Sequence, residues 1–463
     1  MSLRPARQGA LSVSMTEGSL WKSILLFSVP LIFSQLLQVL FNMADVAVVG
    51  KFSSSAAMGS VGSTTTLVTL FTGFLIGLGS GVNVRVARHL GAQRREETRS
   101  AVHTSALVCT LAGVLICVLC LLLAAPMLRL LRTKDDLLDG AVLYFRIYAL
   151  GMPAMGFFNF GNAVLSANGD TRRPLLYLTV SGILNVILNL FFVIVCRMAA
   201  DGVALASILS QYLSAALVFI HMLRLRDDCR LCLRLLRFHR EETVRLLALG
   251  IPAGFQNMIF AIANLFIQVG VNSFDSVMVS GNSAASNTDS IVYDVMAAFY
   301  TACSTFMGQN WGAGKKDRMM KSYYISLLYS FLIGALLGLG LLLWGEKFLY
   351  LFTNEEAVVA AGMQRMRIMC FSYAVSAFMD CTIAACRGFG RSLAPTVIVV
   401  LGSCVFRVIW VYTIFAHFHT IPSLYLLYAF SWTITAAAEI IYFIHCCRRL
   451  TPGQAAAPAV QLK

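Results

Sequence analysis

The chain alternates long apolar runs with short polar intervals, and the runs have the length that crosses a bilayer. About 20 apolar residues make one span. Twelve runs of this kind occur, at 22–48, 60–86, 101–126, 142–166, 174–196, 202–223, 245–271, 286–309, 322–344, 365–386, 395–417 and 423–446. In hydrocarbon every backbone polar group must be satisfied internally, so runs of this length predict helices. The expectation is an all-α integral membrane protein with twelve transmembrane helices. The first run is too long for the apolar core of a signal peptide and has no small-residue cleavage site, so it reads as a retained span.

The longest interval, "RLRDDCRLCLRLLRFHREETV" at 224–244, divides six spans from six, and the halves resemble each other. "HLGAQRREETR" from His89 aligns with "NWGAGKKDRMM" from Asn310, an offset of 221 that also carries Gly169 onto Gly390 and Pro174 onto Pro395. Pro30 and Pro252, like Asn42 and Asn264, are 222 apart. Six is even, so the two copies share one orientation. That predicts two pseudo-symmetric six-helix lobes about an axis along the membrane normal, with a substrate path between them. The expected organisation is an N-terminal tail at 1–21, an N-lobe at 22–223, a loop at 224–244, a C-lobe at 245–447 and a C-terminal tail at 448–463.

Composition agrees. Of 463 residues, 58% are hydrophobic and 13% charged, against about 25% charged in soluble domains, which leaves no polar block for a separate soluble domain. The net charge of +14 is distributed as topology requires: 26 of the 36 Lys and Arg fall on one side of the spans and nine on the other, with Arg407 inside a span. This bias predicts that both termini and the 224–244 loop are cytoplasmic. It also accounts for the basic residues without nucleic acid. The thirteen cysteines lie mostly inside apolar runs and act as small hydrophobes, with no metal-ligand spacing. "GLGSG" (Gly77–Gly81) lies within a span and lacks the lysine and strand context of a phosphate loop. The seven histidines show no paired spacing, and no nucleophile has a base and an orienting partner. The chain does not read as an enzyme.

Chemistry concentrates on polar residues inside spans. In "SQLLQVLFNMADVAVVG", Gln35, Gln38, Asn42 and Asp45 follow at intervals of 3, 4 and 3 and share one helical face. A carboxylate forced to face lipid at a helix centre costs about 2.5–3.5 kcal/mol, so Asp45 reads as functional. Asn185 and Asn189 on span 5 fit either helix–helix hydrogen bonds or a ligand role; Ser207 on span 6 fits a helix contact. On span 7, Asn257, Asn264 and Gln268 share a face. Asp380 on span 10 and Arg407 on span 11 fit a structural ion pair or a site, and Glu439 on span 12 is equally ambiguous. Asp289 and Asp294 are expected at the start of span 8, where carboxylates favour the helix dipole.

Four stretches carry a family resemblance: "MTEGSLWKSILLFSVPLIFSQLLQVLFNMADVAVVGKF" from Met15, "STFMGQNWGAGKKDRM" at span 8, "SANGDTRRP" after span 4 and "CRGFGRSLAP" after span 10. They resemble the multidrug and toxic compound extrusion (MATE) family in order and spacing, from Met15 to Arg449. Residues 1–14 have no counterpart, which makes Met15 the expected natural start. The resemblance implies export of organic, cationic and lipophilic drugs or metabolites, driven by inward H⁺ or Na⁺ through alternating access between two lobes. It implies that Asp45 is the coupling residue of the N-lobe, with Asn185, Asn189 and Ser207 completing the cation site. Asn189 stands where the family's site has a second aspartate and Ser207 where it has a threonine, leaving one carboxylate. Na⁺ at Asp45, Asn185 and Asn189 is the alternative to a proton. The C-lobe departs further: Phe260 and Ser376 occupy positions where some branches carry acids.

The substrate cavity is expected to use Gln35, Gln38, Asn42, Asn257, Asn264, Gln268 and Asp380. No cofactor is expected beyond the coupling ion. The expected partners are small organic substrates and the bilayer, with no nucleic acid and no obligate protein. The expected location is the cell membrane, a bacterial inner membrane. A lipid-linked-precursor flippase of the same superfamily is the alternative reading; a channel or scaffold would need neither the polar faces nor Asp45.

Overall fold

The structure, a computed structural model, describes residues 13–53, 55–351 and 353–449. The expected tails fall partly beyond them, at 1–12 and 450–463. Thirteen helices follow in chain order: α1 (Leu20–Phe52), α2 (Ser55–Gly91), α3 (Arg95–Leu130), α4 (Asp135–Ala149), α5 (Met152–Ala167), α6 (Arg172–Leu190, continued by a π-helical turn at Phe191–Val195) and α7 (Ala200–Arg224). Next come α8 (Arg240–Val271), α9 (Ser276–Gly312), α10 (Lys316–Leu349), α11 (Glu356–Gly388), α12 (Leu393–Phe418) and α13 (Ile421–Arg448). No strand occurs among the described residues.

Ten of these helices are long and apolar enough to cross a membrane, and the bent pair α4–α5 makes an eleventh span. The run at 142–166, expected as one helix, is broken by 44° at Leu150–Gly151. Pro153, at the start of α5, has no N–H to offer the carbonyl of Ala149, which ends the ladder there. The twelfth expected span is α9. Its 37 residues reach about 55 Å at 1.5 Å per residue, ample for a bilayer. It begins ten residues earlier than the expected 286, through the polar stretch "SGNSAASNTDS". Asp289 and Asp294 therefore sit inside α9 and not at its N-terminus, which corrects the helix-dipole reading.

The chain forms two compact units. The first comprises 13–14, Phe33–Leu90 and Arg94–Met258; the second comprises Met15–Ile32, Gly91–Gln93 and the described residues from Ile259 onward. Within the first unit the "GLGSG" stretch has a packing role. A Cβ on Gly77 would lie 2.4 Å from the Gly254 nitrogen, so the α2 and α8 backbones touch there, as small residues allow in membrane helices. The same unit is tied at one end by Arg85, which donates to Glu242 Oε1 at 2.7 Å, and by His89 against Glu97 at 3.0 Å. In the second unit Arg318 donates to the carbonyls of Met15, Glu17 and Gly18, holding the approach to α1.

The internal repeat is written in the backbone. Gln93 (φ 55°) and Gly314 (φ 70°) are left-handed and 221 apart, and so are Gly169 (φ 87°) and Gly390 (φ 90°). The turns close alike: the N–H of Arg94 reaches the carbonyl of His89 at 3.1 Å, and that of Lys315 reaches Asn310 at 2.9 Å.

Candidate functional site

Asp45 lies in the second half of α1, and three side chains from α6 and α7 converge on it. Asn189 donates through Nδ2 to Asp45 Oδ1, and Ser207 Oγ donates to Oδ2 at 3.3 Å. The Asn189 Nδ2 group also reaches Asn185 Oδ1 at 3.3 Å, and Asn185 Nδ2 lies 3.5 Å from Ser207 Oγ. Asn185, Asn189 and Ser207 are buried, while Asp45 is half-buried. The i, i+4 spacing of the two asparagines puts both amides on the α6 face that meets α1.

What lets α1 approach is Gly182, one turn before Asn185. A Cβ there would stand 1.8 Å from the Phe41 ring. Gly182→Val is expected to cost about 1–3 kcal/mol by overpacking, measured by thermal unfolding in detergent. Phe41→Ala in the same chain should recover part of the loss, because the ring is what the new methyls strike. Just past Asn189, α6 widens into its π-helical turn, a distortion frequent at functional sites.

The cluster borders a cavity of about 350 Å³ inside the first unit. Gln38, Asn42 and Asp45 of α1, Asn185 of α6 and Ser207 of α7 line it, together with Asn159, Gln211, Tyr144, Tyr148 and Phe158. Among the described residues Asp45 is the one charged side chain in the lining, with no Lys, Arg or second carboxylate beside it. Gln35, on the same sequence face, is not part of the lining. A row of threonines on α2 (Thr64, Thr65, Thr69 and Thr72) completes it. The hydroxyls of Thr64 and Thr72 donate to their own helix, to Val61 O at 2.7 Å and Val68 O at 2.8 Å. Their oxygens are thereby left as acceptors. One negative charge among acceptor dipoles and aromatic faces suits an organic cation. The threonine row and the two tyrosines were not anticipated. The available signal was hydroxyls recurring at helical spacing in "STTTLVTLFT".

The oxygens of Asp45, Asn185, Asn189 and Ser207 are hard donors of the type Na⁺ takes. Yet Asn189 turns its nitrogen, not its oxygen, toward the carboxylate, and its Oδ1 is buried without a hydrogen bond. For Asn189 itself to ligate Na⁺, its amide would have to turn over. A proton requires no such rearrangement, since Ser207 Oγ can accept from a protonated Asp45.

The remaining expected residues are placed otherwise. Asn257 donates to the Gly73 carbonyl of α2 at 2.9 Å, a helix–helix hydrogen bond within the first unit. In the second unit Asn264 is exposed and Gln268 donates to Asn272 Oδ1 at 2.8 Å. The Asp380–Arg407 ion pair is not formed. Arg407 is instead enclosed by the rings of Tyr428 at 4.5 Å, Trp432 at 5.5 Å and Phe260 at 5.8 Å, and its Nε donates to Ser431. Asp380 remains within electrostatic reach of Arg387 and Arg407. Glu439 is fully buried, near Arg387 and Asp380.

The ion pair that does form was not anticipated. Arg365 of α11 donates to Asp289 Oδ2 and to Asn282 Oδ1, both on α9. Tyr373 donates to the other oxygen of Asp289, and Tyr425 donates to Asn282 Oδ1 at 2.8 Å. This network explains why so polar a stretch stays helical in the interior of the unit.

Known proteins resemble this chain in sequence and fold. The MatE family model matches it twice, over residues 30–191 and 252–413, and the 222-residue offset between the matches agrees to within one residue with the internal repeat. The chain is 27% identical over 358 residues to the probable multidrug resistance protein YpnP of Bacillus subtilis, covering 77% of this chain and 80% of that one. It is 23% identical over 393 residues to the probable multidrug resistance protein NorM of Thermotoga maritima, covering 81% and 82%. A solved multidrug resistance MATE family transporter of the MOP superfamily superposes with a TM-score of 0.88 at 20% identity, covering 96% of this chain and 99% of that one.

Proposed function

The chain belongs to the multidrug and toxic compound extrusion (MatE) family, and from that premise we propose that it exports organic cations in exchange for protons bound at Asp45. It is a multi-pass membrane transporter and not an enzyme, with probable multidrug resistance proteins as relatives. The observation that carries the finer reading is the lone carboxylate. Among the described residues Asp45 is the one charge in a cavity otherwise lined by hydroxyls, amides, rings and aliphatic side chains. It attracts a cation while ionised and releases it when protonated. Protonation from outside removes the charge and frees the bound cation outward; deprotonation toward the cytoplasm restores the site. The relatives' multidrug-resistance names and the absence of basic groups among the described lining residues support a cationic, lipophilic cargo.

Two features favour H⁺ over Na⁺ as the driver. The second aspartate position is occupied by Asn189, and that amide presents its nitrogen to Asp45. A proton needs one carboxylate, whereas a cation held by a single formal charge is held weakly. The positive-inside count supports an orientation with both termini and the 224–244 loop in the cytoplasm, in a bacterial inner membrane.

The test is export of a lipophilic cation from vesicles under imposed gradients. A pH gradient alone, with Na⁺ equal on both sides, is expected to drive export. Export that follows only a Na⁺ gradient would overturn the proton assignment.

A further inference from the structure

The loop joining α7 to α8, residues 225–239, has an organisation that transport does not explain. It is fastened to the first unit along its length. The N–H of Leu231 reaches the Met222 carbonyl at 3.0 Å, Asp227 accepts from Asn168 at 2.7 Å, and Asp228 lies 3.6 Å from both Arg95 and Arg99. The N–H of Cys232 donates to His103 Nε2 at 2.9 Å, a ring fixed by its Nδ1 at 2.6 Å from the Arg99 carbonyl. Cys229 and Leu231 are buried in the core formed with α3, α5 and α7. Burial, with Asp227 and Asp228 beside it, pushes the Cys229 thiol well up, so it acts as an anchor and not as a reactive group.

The side chains this pinned loop leaves exposed are apolar and basic together. Leu233, Leu235 and Phe238 are 55%, 53% and 53% exposed. Interleaved with them, Arg226, Arg230, Arg234 and Arg237 are exposed, and Arg224 and Arg240 close the ends. Arg230 donates to the Leu223 carbonyl of α7 at 3.2 Å and Arg237 to His239 at 3.0 Å, while Arg226 and Arg234 form no ion pair among the described residues. Topology alone asks for the charges but not for three exposed apolar side chains beyond the ends of two spans. Arginines that flank leucine and phenylalanine at a membrane boundary suit the headgroup region, where rings and stems enter the acyl edge and guanidinium groups meet phosphate.

We propose that this face is a binding site for anionic phospholipid, with the guanidinium groups of Arg226 and Arg234 on the headgroup phosphate and Leu233, Leu235 and Phe238 among the first acyl carbons. A soluble phosphate would leave the three apolar side chains in water, so the lipid is the occupant. The proposal rests on the loop lying at the membrane boundary, not on the transport reading. It is therefore tested on the full chain in neutral detergent, where neither orientation nor coupling matters.

The experiment titrates delipidated protein with phosphatidylglycerol or phosphatidylcholine and reads bound lipid by native mass spectrometry at low ionic strength. Phosphatidylglycerol is expected to bind more tightly. Each membrane-facing basic residue contributes about 1 kcal/mol, so Arg226→Gln with Arg234→Gln should weaken that binding about thirtyfold and weaken phosphatidylcholine less, because choline offsets the charge of its phosphate. A second variant, Leu233→Ser with Leu235→Ser and Phe238→Ser, should weaken both lipids. Thermal unfolding in lipid-free detergent should match the wild type for the arginine variant, because those guanidinium groups hold nothing in the fold. Equal affinity for the two lipids, an arginine variant that binds like the wild type, or displacement of the lipid by equimolar inorganic phosphate or an acidic peptide would each overturn the proposal.

Discussion

Asp45→Asn is expected to reduce gradient-driven export to the leak level of empty vesicles while leaving the protein folded and inserted. The substitution is close to isosteric. Asn189 can still donate to the remaining carbonyl oxygen and Ser207 can accept from the new amide, so the junction of α1, α6 and α7 survives. What disappears is the charge, and with it the alternation between two states. A hydrogen bond to a charged group contributes roughly 1.5–3 kcal/mol, so a cationic cargo should bind about ten- to hundredfold more weakly. Two measurements separate the roles: export under a pH gradient and equilibrium binding of the same cation in detergent. Loss of both is the expected result. Loss of export with unchanged affinity would restrict Asp45 to coupling, and wild-type export would remove it from the mechanism.

The parts legible in the chain were those carried by local signals. Asp45 stood out because a charge on a polar stripe contradicts its apolar run. The pairing of Asn185 with Asn189 followed from helical spacing, and the twofold repeat from a constant offset that the left-handed residues and turn closures obey. The parts missed depend on distant partners. Nothing near Asp289 says that it pairs with Arg365, 76 residues on, so hydropathy alone placed the start of α9 too late. Gly182 reads as an ordinary span glycine until Phe41 arrives from 141 residues away. The Asp380–Arg407 pair failed for the same reason: Tyr428, Trp432 and Phe260 enclose the guanidinium, and no spacing rule announces a three-ring enclosure. Pro153 was visible, but a run long enough to cross once concealed the bend it causes.

Arg365→Leu carries the largest expected stability effect. Both members of the Asp289–Arg365 pair are under a tenth exposed, and the pair holds α9 to α11. Breaking a buried pair by removing one partner typically costs about 3–5 kcal/mol, because an uncompensated charge is left behind. In the variant, Asp289 would keep only Tyr373, and Asn282 only Tyr425. Replacing both charges, as Arg365→Leu with Asp289→Leu, removes the stranded carboxylate, and exchanging a buried ion pair for apolar groups is often close to neutral. The double variant should therefore outlast either single one. Because unfolding of such proteins is commonly irreversible, the comparison is of inactivation half-lives at one temperature in one detergent. If Arg365→Leu is as long-lived as the wild type, the pair is not what holds α9 to α11. If the double variant is instead as short-lived as the single ones, packing and not stranded charge sets the cost, and the polar start of α9 needs another explanation.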